Sequence, residues 1–235
     1  MKPQRFAALP AVCLVMTASC SVLDPDHANR VDDSWLSQVS DSDRDEIDDA
    51  RKEMFRAQDE LAAAEAESQS AEQRLTAAKH ELAAAREQEK AARAQLDAAE
   101  ATGDEDVIEK AHEELASARK NTAVADANVR VLEREEDLAE AKEDLAEQKV
   151  GLADARVELQ KAEAVSKLNT PAGRSIEVAE FERDVREQEE DVRVAEVRVE
   201  GAEREVKAAK DAYDDAEKRD VSDFDEDDED DRPGR

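Results

Sequence analysis

Apolar residues recur at alternating steps of three and four from residue 47 to residue 99, with polar residues between them. One column holds mainly large apolar residues, namely Ile47, Met54, Leu61, Ser68, Leu75, Leu82, Glu89 and Leu96. The second column is alanine throughout, at positions 50, 57, 64, 71, 78, 85, 92 and 99. Such columns form the a and d positions of a coiled coil, and small residues there let helix axes approach closely. The pattern predicts a long first helix with one narrow contact side.

Two breaks divide the rest of the pattern. Gly103, in EATGDEDV, can adopt the left-handed conformation that ends a helix, and Thr102 or Asp104 can cap the next one. Pro171 and Gly173, in KLNTPAGRSIE, are unsuited to a helix interior. Both breaks are short, so consecutive helices should return antiparallel. The predicted helices span residues 42–101, 105–168 and 176–218.

The second helix carries apolar residues on two sides. One stripe begins at Ile108 and the other near Val124, offset by two residues, which is about 200° around a helix. Nearly opposite stripes predict a flat arrangement with the second helix in the middle.

The stripes also predict which residues face each other. Folding the first helix back at Gly103 pairs residues whose numbers add to 207, so that Leu82 meets Ala125. For the second and third helices, a sum of 347 would set Leu152 on Ala195, and a sum of 340 is the competing register. The position of the break favours 347.

The fold class is therefore all-α, an elongated antiparallel three-helix coiled coil over residues 42–219. Residues 20–41 lack periodicity and are predicted to be a flexible tether, with Trp35 and Leu36 as candidate docking residues. Residues 220–235 hold nine acids between Asp220 and Asp231 and are predicted to be a disordered tail.

Composition narrows the function classes. The formal net charge is −30, which excludes nucleic acid as a direct partner because phosphate binding requires a basic surface. Charged residues make up 42% and aromatic residues 3% of the chain, which disfavours one rounded core and is typical of long helices.

The first residues, MKPQRFAALPAVCLVMTASC, run from basic to apolar to small. This order is typical of a secretory signal peptide, here residues 1–19. The apolar run is shorter than the roughly 20 residues that a membrane-spanning helix needs.

The letters TASC resemble the lipobox of bacterial lipoproteins, with Thr17 in place of the family's usual leucine. The resemblance implies cleavage before Cys20, acylation of its thiol, and, with Ser21 following, an outer-membrane lipoprotein facing the periplasm. In a Gram-positive cell it would imply the outer surface of the single membrane. The alternative is an ordinary signal peptide cut elsewhere, with Cys20 free or in a disulfide. Cys13 does not fit the motif.

No catalytic, cofactor-binding or metal-binding residue is predicted. His80 and His112 fall on outer helix faces, and AHEELA lacks the second histidine of a zinc signature. Five polar residues interrupt the apolar stripes, namely Ser68, Glu89, Glu136, Glu143 and Gln148. One interpretation is that they control the register or contact a partner. The other is that the seam is narrow enough for their side chains to reach water. The acidic tail lacks the loop pattern of a dedicated calcium site. Further alanines on the first helix leave self-association open, since helix propensity alone also favours them.

We expect a structural or interaction protein, a lipid-anchored spacer, scaffold or docking rod for a cell-envelope protein partner. A rival hypothesis is a binding module, because LAEAKEDLAEQKVGLADARVELQKAEA is similar to the hairpins of periplasmic adaptors in efflux and secretion systems. Attachment to peptidoglycan, as in the small murein lipoprotein, is disfavoured because that family ends in lysine and this chain ends in Arg235. An enzyme is the least favoured class.

Overall fold

A computed structural model describes residues 29–224, of which residues 31–224 belong to one helical unit. The unit confirms the predicted all-α, antiparallel three-helix fold, and its described residues contain no strand. Its α-helices are α1 (Asp41–Glu100), α2 (Glu105–Ser166), the short α3 (Pro171–Ser175) and α4 (Val178–Lys218). Two 3₁₀ helices, Asp33–Gln38 and Val221–Phe224, flank them in the sequence.

Local hydrogen bonds set the ends of α1 and α2. The Ser40 side chain caps α1 by accepting from the Asp43 N–H at 3.2 Å. Gly103 has a φ of 71°, the left-handed conformation that glycine adopts without steric cost. Asp104 occupies the N-cap of α2 without a side-chain capping bond; instead Thr102 Oγ1 accepts from the Asp104 N–H at 3.2 Å.

The register of α1 against α2 is the predicted one. Two buried clusters join the helices, and in each the facing residues have numbers that add to 207, as for Leu96 with Ala111 and Leu82 with Ala125. Ion pairs flank this seam, with Arg86 to Asp126 at 3.2 Å and Lys79 to Glu133 at 3.6 Å. The numbers in both pairs add to 212, five more than the seam.

The register of α2 against α4 corrects the prediction of 347. Arg156 pairs with Glu189 at 3.1 Å and Glu135 with Lys210 at 2.7 Å, and both sums are 345. Ion pairs beside the α1–α2 seam exceed its sum of 207 by two, as for Lys142 with Glu67, or by five, so sums of 345 fit a seam near 340, the competing register, and do not reach 347. Arg134 pairs with Glu205 at 3.2 Å, and their sum of 339 agrees. Gly151 agrees, because a Cβ there would lie 2.5 Å from Oε1 of Gln188.

The connection between α2 and α4 explains the error. The position of the break favours 347, but in the structure the chain winds into α3 against the end of α2. A Cβ on Gly173 would lie 2.6 Å from the carbonyl oxygen of Val165, so only a glycine allows this approach. Folding of the break itself therefore shifts α4 by one heptad.

α2 lies in the middle, between α1 and α4, as its two stripes predict. α2 contacts both α1 and α4 along their lengths, whereas α1 and α4 make no substantial contact with each other in the described part. Glu135 links all three long helices, accepting from Arg74 of α1 at 3.2 Å and from Lys210 of α4 at 2.7 Å.

Both predicted flexible segments are partly ordered, which corrects their boundaries. Val31 and Val39, within the predicted tether of residues 20–41, are only 5% and 4% exposed. At the other end, Val221–Phe224 contacts α2, and Arg119 donates to the carbonyl oxygen of Phe224 at 3.1 Å. The apolar side chains of these segments have no heptad spacing, but they are buried against the helices, and this burial orders the segments. The remainder of the predicted tail, residues 225–235, lies outside the described residues.

Candidate functional site

The predicted lipidation residue, Cys20, lies outside the described residues, as does His27. Eleven positions after Cys20, at Val31, the described helical unit begins, and residues 31–40 join one of its ends. We call this contact, formed by residues 31–40 with the C-terminal turns of α2 and the first turns of α1, the junction. It is the candidate functional site because it connects the predicted anchor to the helices.

A buried ion pair lies at the centre of the junction. Glu158 and Lys161, one turn apart on α2, are 9% and 8% exposed, and Lys161 Nζ donates to Glu158 Oε1 at 2.8 Å. The other carboxylate oxygen of Glu158 accepts from the Val31 N–H at 2.8 Å. Lys161 Nζ also contacts Asp33 Oδ1 at 2.9 Å. Both charges are thus satisfied by groups from residues 31–33, which compensates the cost of burying them.

The electrostatics of the junction favour the charged forms of Lys161 and Asp33. Burial lowers the pKa of Lys161, but hydrogen bonds to Asp33 and Glu158 and the charges of both carboxylates outweigh it, so that the pKa is raised overall. The hydrogen bond from Lys161 lowers the pKa of Asp33. Both shifts favour the ion pair between Lys161 and Asp33, which holds residue 33 on α2.

An apolar cluster surrounds the ion pair. Val31 and Val39 from the N-terminal segment pack with Ile47 of α1, Val165 of α2 and Phe181 of α4. Trp35 and Leu36, the predicted docking residues, are partly buried against the same cluster. The elements of this end therefore share one core, in contrast to the alanine layers along the rest of the helices.

Further polar contacts fasten the segment to α1. Arg44 Nη2 donates to the carbonyl oxygen of Ser37 at 2.9 Å. Lys167, just beyond α2, donates to Asp43 Oδ1 at 2.6 Å. Hydrogen bonds from Lys167 and Ser40 lower the pKa of Asp43. The first turn of α1 is thereby tied to the end of α2.

A groove of about 680 Å³ opens beside the junction. It is lined by Trp35, Gln38, Leu168, Thr170, Pro171, Ala172 and Ser175. None of these side chains is ionisable at neutral pH, so the lining offers no acid, base or charged ligand.

The other residues singled out in the sequence are dispersed. His80 is exposed and His112 is half-buried on a different helix. The described residues contain no group of three or more His, Cys, Asp or Glu side chains that could hold a metal ion. The five polar residues that interrupt the stripes are all half-buried, which agrees with side chains that reach water from a narrow seam.

Sequence reasoning found Trp35 and Leu36 but missed the buried pair. Glu158 and Lys161 resemble ordinary surface charges of a helix. The sequence does hold one signal, the spacing of the apolar residues Val31, Trp35 and Val39 just before α1. This segment is too short for its spacing to show which helix it packs against.

None of the described helices has an apolar stretch long enough to cross a membrane. Comparisons with protein-family models, curated proteins and solved structures found no match. The function must therefore be inferred from the chain's own residues.

Proposed function

We propose that this protein is a lipid-anchored coiled-coil lipoprotein of the bacterial cell envelope, and that its helices serve as a spacer and docking rod for another envelope protein. The junction is the observation that carries the proposal. It fixes residues 31–39 to one defined end of the helices, so a chain anchored at Cys20 would be held by that end.

The dimensions support this role. Ten residues, 21–30, separate Cys20 from Val31, and the eleven steps between these two residues can span at most about 40 Å. The 60 residues of α1 extend for about 90 Å. The helices therefore reach well beyond the region that the linker alone could explore.

The charge supports an anchor made of lipid alone. Removal of residues 1–19 deletes Lys2 and Arg5 and no acid, which takes the formal charge from −30 to −32. Such a chain is repelled by anionic lipid. Each buried acyl methylene contributes about 0.8 kcal/mol, so several chains on one cysteine hold a protein firmly.

Incorporation of labelled palmitate tests the anchor. In a lipoprotein-processing bacterium, we expect the wild-type chain and Cys13→Ala to be labelled and to sediment with membranes, and Cys20→Ala to be unlabelled and released. Labelling of Cys20→Ala would place the acyl group on another residue, and an unlabelled wild type would favour an ordinary signal peptide; either result would overturn the proposal.

Two further measurements address the role of the helices. Cross-linking and mass spectrometry in intact envelopes should capture an envelope protein on α1, α2 or α4. Capture of an efflux or secretion component would favour the adaptor-like hypothesis instead. Release by muramidase, but not by detergent, would indicate attachment to the wall.

A further inference from the structure

The end of the helical unit at the junction carries no net charge. We call residues 34–44 and 166–177 together the neutral tip; Trp35 from the first range and Leu168 from the second line one groove. The charged residues of the neutral tip are three acids and three bases, namely Asp41, Asp43, Glu177, Arg44, Lys167 and Arg174. In a chain of formal net charge −30, this balance distinguishes one end of the helices from the rest.

The opposite end of the unit is strongly acidic. The turn from α1 to α2, residues 97–109, holds no base and six acids, namely Asp97, Glu100, Asp104, Glu105, Asp106 and Glu109. The negative surface of a membrane that contains anionic lipid repels such a cluster, whereas it does not repel a surface without net charge. Of the two ends, the neutral tip is therefore the one that can approach a bilayer without electrostatic repulsion.

The groove in the neutral tip has side chains suited to a membrane interface. Its lining is apolar or uncharged, and it includes Trp35, the only tryptophan of the chain. Trp35 is half-buried against the core of the junction, which holds its ring in place beside the exposed amide of Gln38. Tryptophan is enriched at the level of lipid headgroups, where its apolar ring and its polar N–H are both accommodated. The groove thus combines an aromatic anchor with polar groups that can bond to headgroups or water.

The proposed attachment at Cys20 is within reach of the neutral tip. Val31 is held beside Glu158, which is eight residues from the end of α2 at Ser166, about 12 Å along the helix axis. The eleven steps from Cys20 to Val31 can span about 40 Å, well over this distance. The acidic turn lies about 90 Å away along α1. The neutral tip is therefore the end that an anchored chain holds next to the bilayer.

We propose that the neutral tip docks on the interface of the bilayer that holds the anchor, with Trp35 at the level of zwitterionic lipid headgroups. The docking rests on the proposed lipid anchor, because so small a surface needs the high local concentration that attachment supplies. Docking of this end directs α1, α2 and α4 away from the membrane and keeps the acidic turn remote from it. A flexible attachment alone would leave the angle of the helices unrestricted.

Fluorescence of Trp35 tests the docking, because no other tryptophan contributes to the signal. The lipidated protein is reconstituted in phosphatidylcholine vesicles with or without bromine atoms on the acyl chains, and bromine quenches tryptophan only at near contact. We expect a loss of Trp35 emission that is larger for bromines close to the headgroup than for bromines deep in the bilayer. Unchanged emission with both brominated lipids would overturn the docking.

Two matched charge substitutions separate the neutral tip from the rest of the surface. Gln38→Glu keeps the size of an exposed side chain in the groove but sets a carboxylate against the bilayer. Gln95→Glu makes the same change at an exposed position of α1 near the acidic turn. Quenching should decrease in Gln38→Glu, and further when phosphatidylglycerol is added to the vesicles, but stay at the wild-type level in Gln95→Glu. Equal quenching in two variants with the same thermal melting curve would contradict the docking.

The docking and the anchor can fail separately. Palmitate labelling together with an unquenched Trp35 would overturn the docking and leave the anchor intact. If palmitate is not incorporated, Cys20, the only cysteine of residues 20–235, can be coupled to a maleimide lipid in the same vesicles. Quenching there would uphold the neutral tip as a membrane-binding surface, and its absence would overturn it. An unquenched Trp35 with capture of an envelope protein by a photo-cross-linker at Gln38 would assign the groove to a protein instead.

Discussion

Replacement of Lys161 by methionine tests the physical basis of the junction. The change removes a buried ammonium group that is 2.8 Å from Glu158 and 2.9 Å from Asp33, and methionine fills most of the same volume. Glu158 would remain 9% exposed with the Val31 N–H as its partner. A charge left buried without its counter-ion is the main source of the expected loss.

The magnitude depends on the burial. Breaking a buried pair costs about 3–5 kcal/mol, and the retained Val31 hydrogen bond points to the lower end, about 3 kcal/mol. For a chain of this size, that corresponds to a fall of about 6–12 °C in Tm. Lys149→Met is the matched control, because Lys149 is 42% exposed and its contact with Glu60 is 3.8 Å. It should change the free energy of unfolding by about 0.5 kcal/mol or less.

Urea and thermal unfolding, followed by far-UV circular dichroism, measure the global effect, and limited proteolysis reports release of residues 31–39. The double variant Glu158→Gln/Lys161→Met removes both charges but keeps an acceptor for the Val31 N–H, so it should recover most of the loss. A loss for Lys161→Met no larger than that for Lys149→Met would refute the reasoning. So would a double variant less stable than Lys161→Met.

Three further predictions concern pH, register and glycine. The hydrogen bond from Lys161 lowers the pKa of Asp33 from 3.8 in the folded chain. The Asp33 carboxylate therefore stabilises the fold above its unfolded pKa, and this stabilisation is lost as the pH falls through the folded pKa. Proteolytic protection of residues 31–39 should weaken in acid, and Asp33→Asn should reduce that dependence. For the register of α2 against α4, a disulfide should form readily in Gly151→Cys/Gln188→Cys and not in Gly151→Cys/Glu196→Cys, the pair that a sum of 347 would bring together. Gly103→Ala should lower the free energy of unfolding by about 1 kcal/mol, because φ is 71° at this position. Gly201→Ala, in open space within α4, should raise it by about 0.5–1 kcal/mol. Chemical denaturation measures both changes, and two changes of the same sign would contradict the prediction.

The heptad pattern determined much of this fold before any contact was known. The alanine column from position 50 to position 99 predicts α1 and its narrow seam, and Gly103 predicts the return of α2. Because the large residues of α1 have small partners on α2 in one register, a sum of 207 can be derived from the sequence. The two stripes of α2 likewise predict its central place, since each apolar side requires its own neighbour.

The register of α4 and the junction depended on the tertiary structure. A shift by one heptad leaves large residues opposite small ones, so the pattern distinguishes 340 from 347 poorly, and the winding of Pro171–Ser175 into a helix decides between them. Glu158 and Lys161 read as solvated charges until Val31 and Asp33 cover them from more than 120 residues away. Periodicity encodes repeated contacts between regular helices, whereas a single contact between a short irregular segment and a helix leaves no period to read.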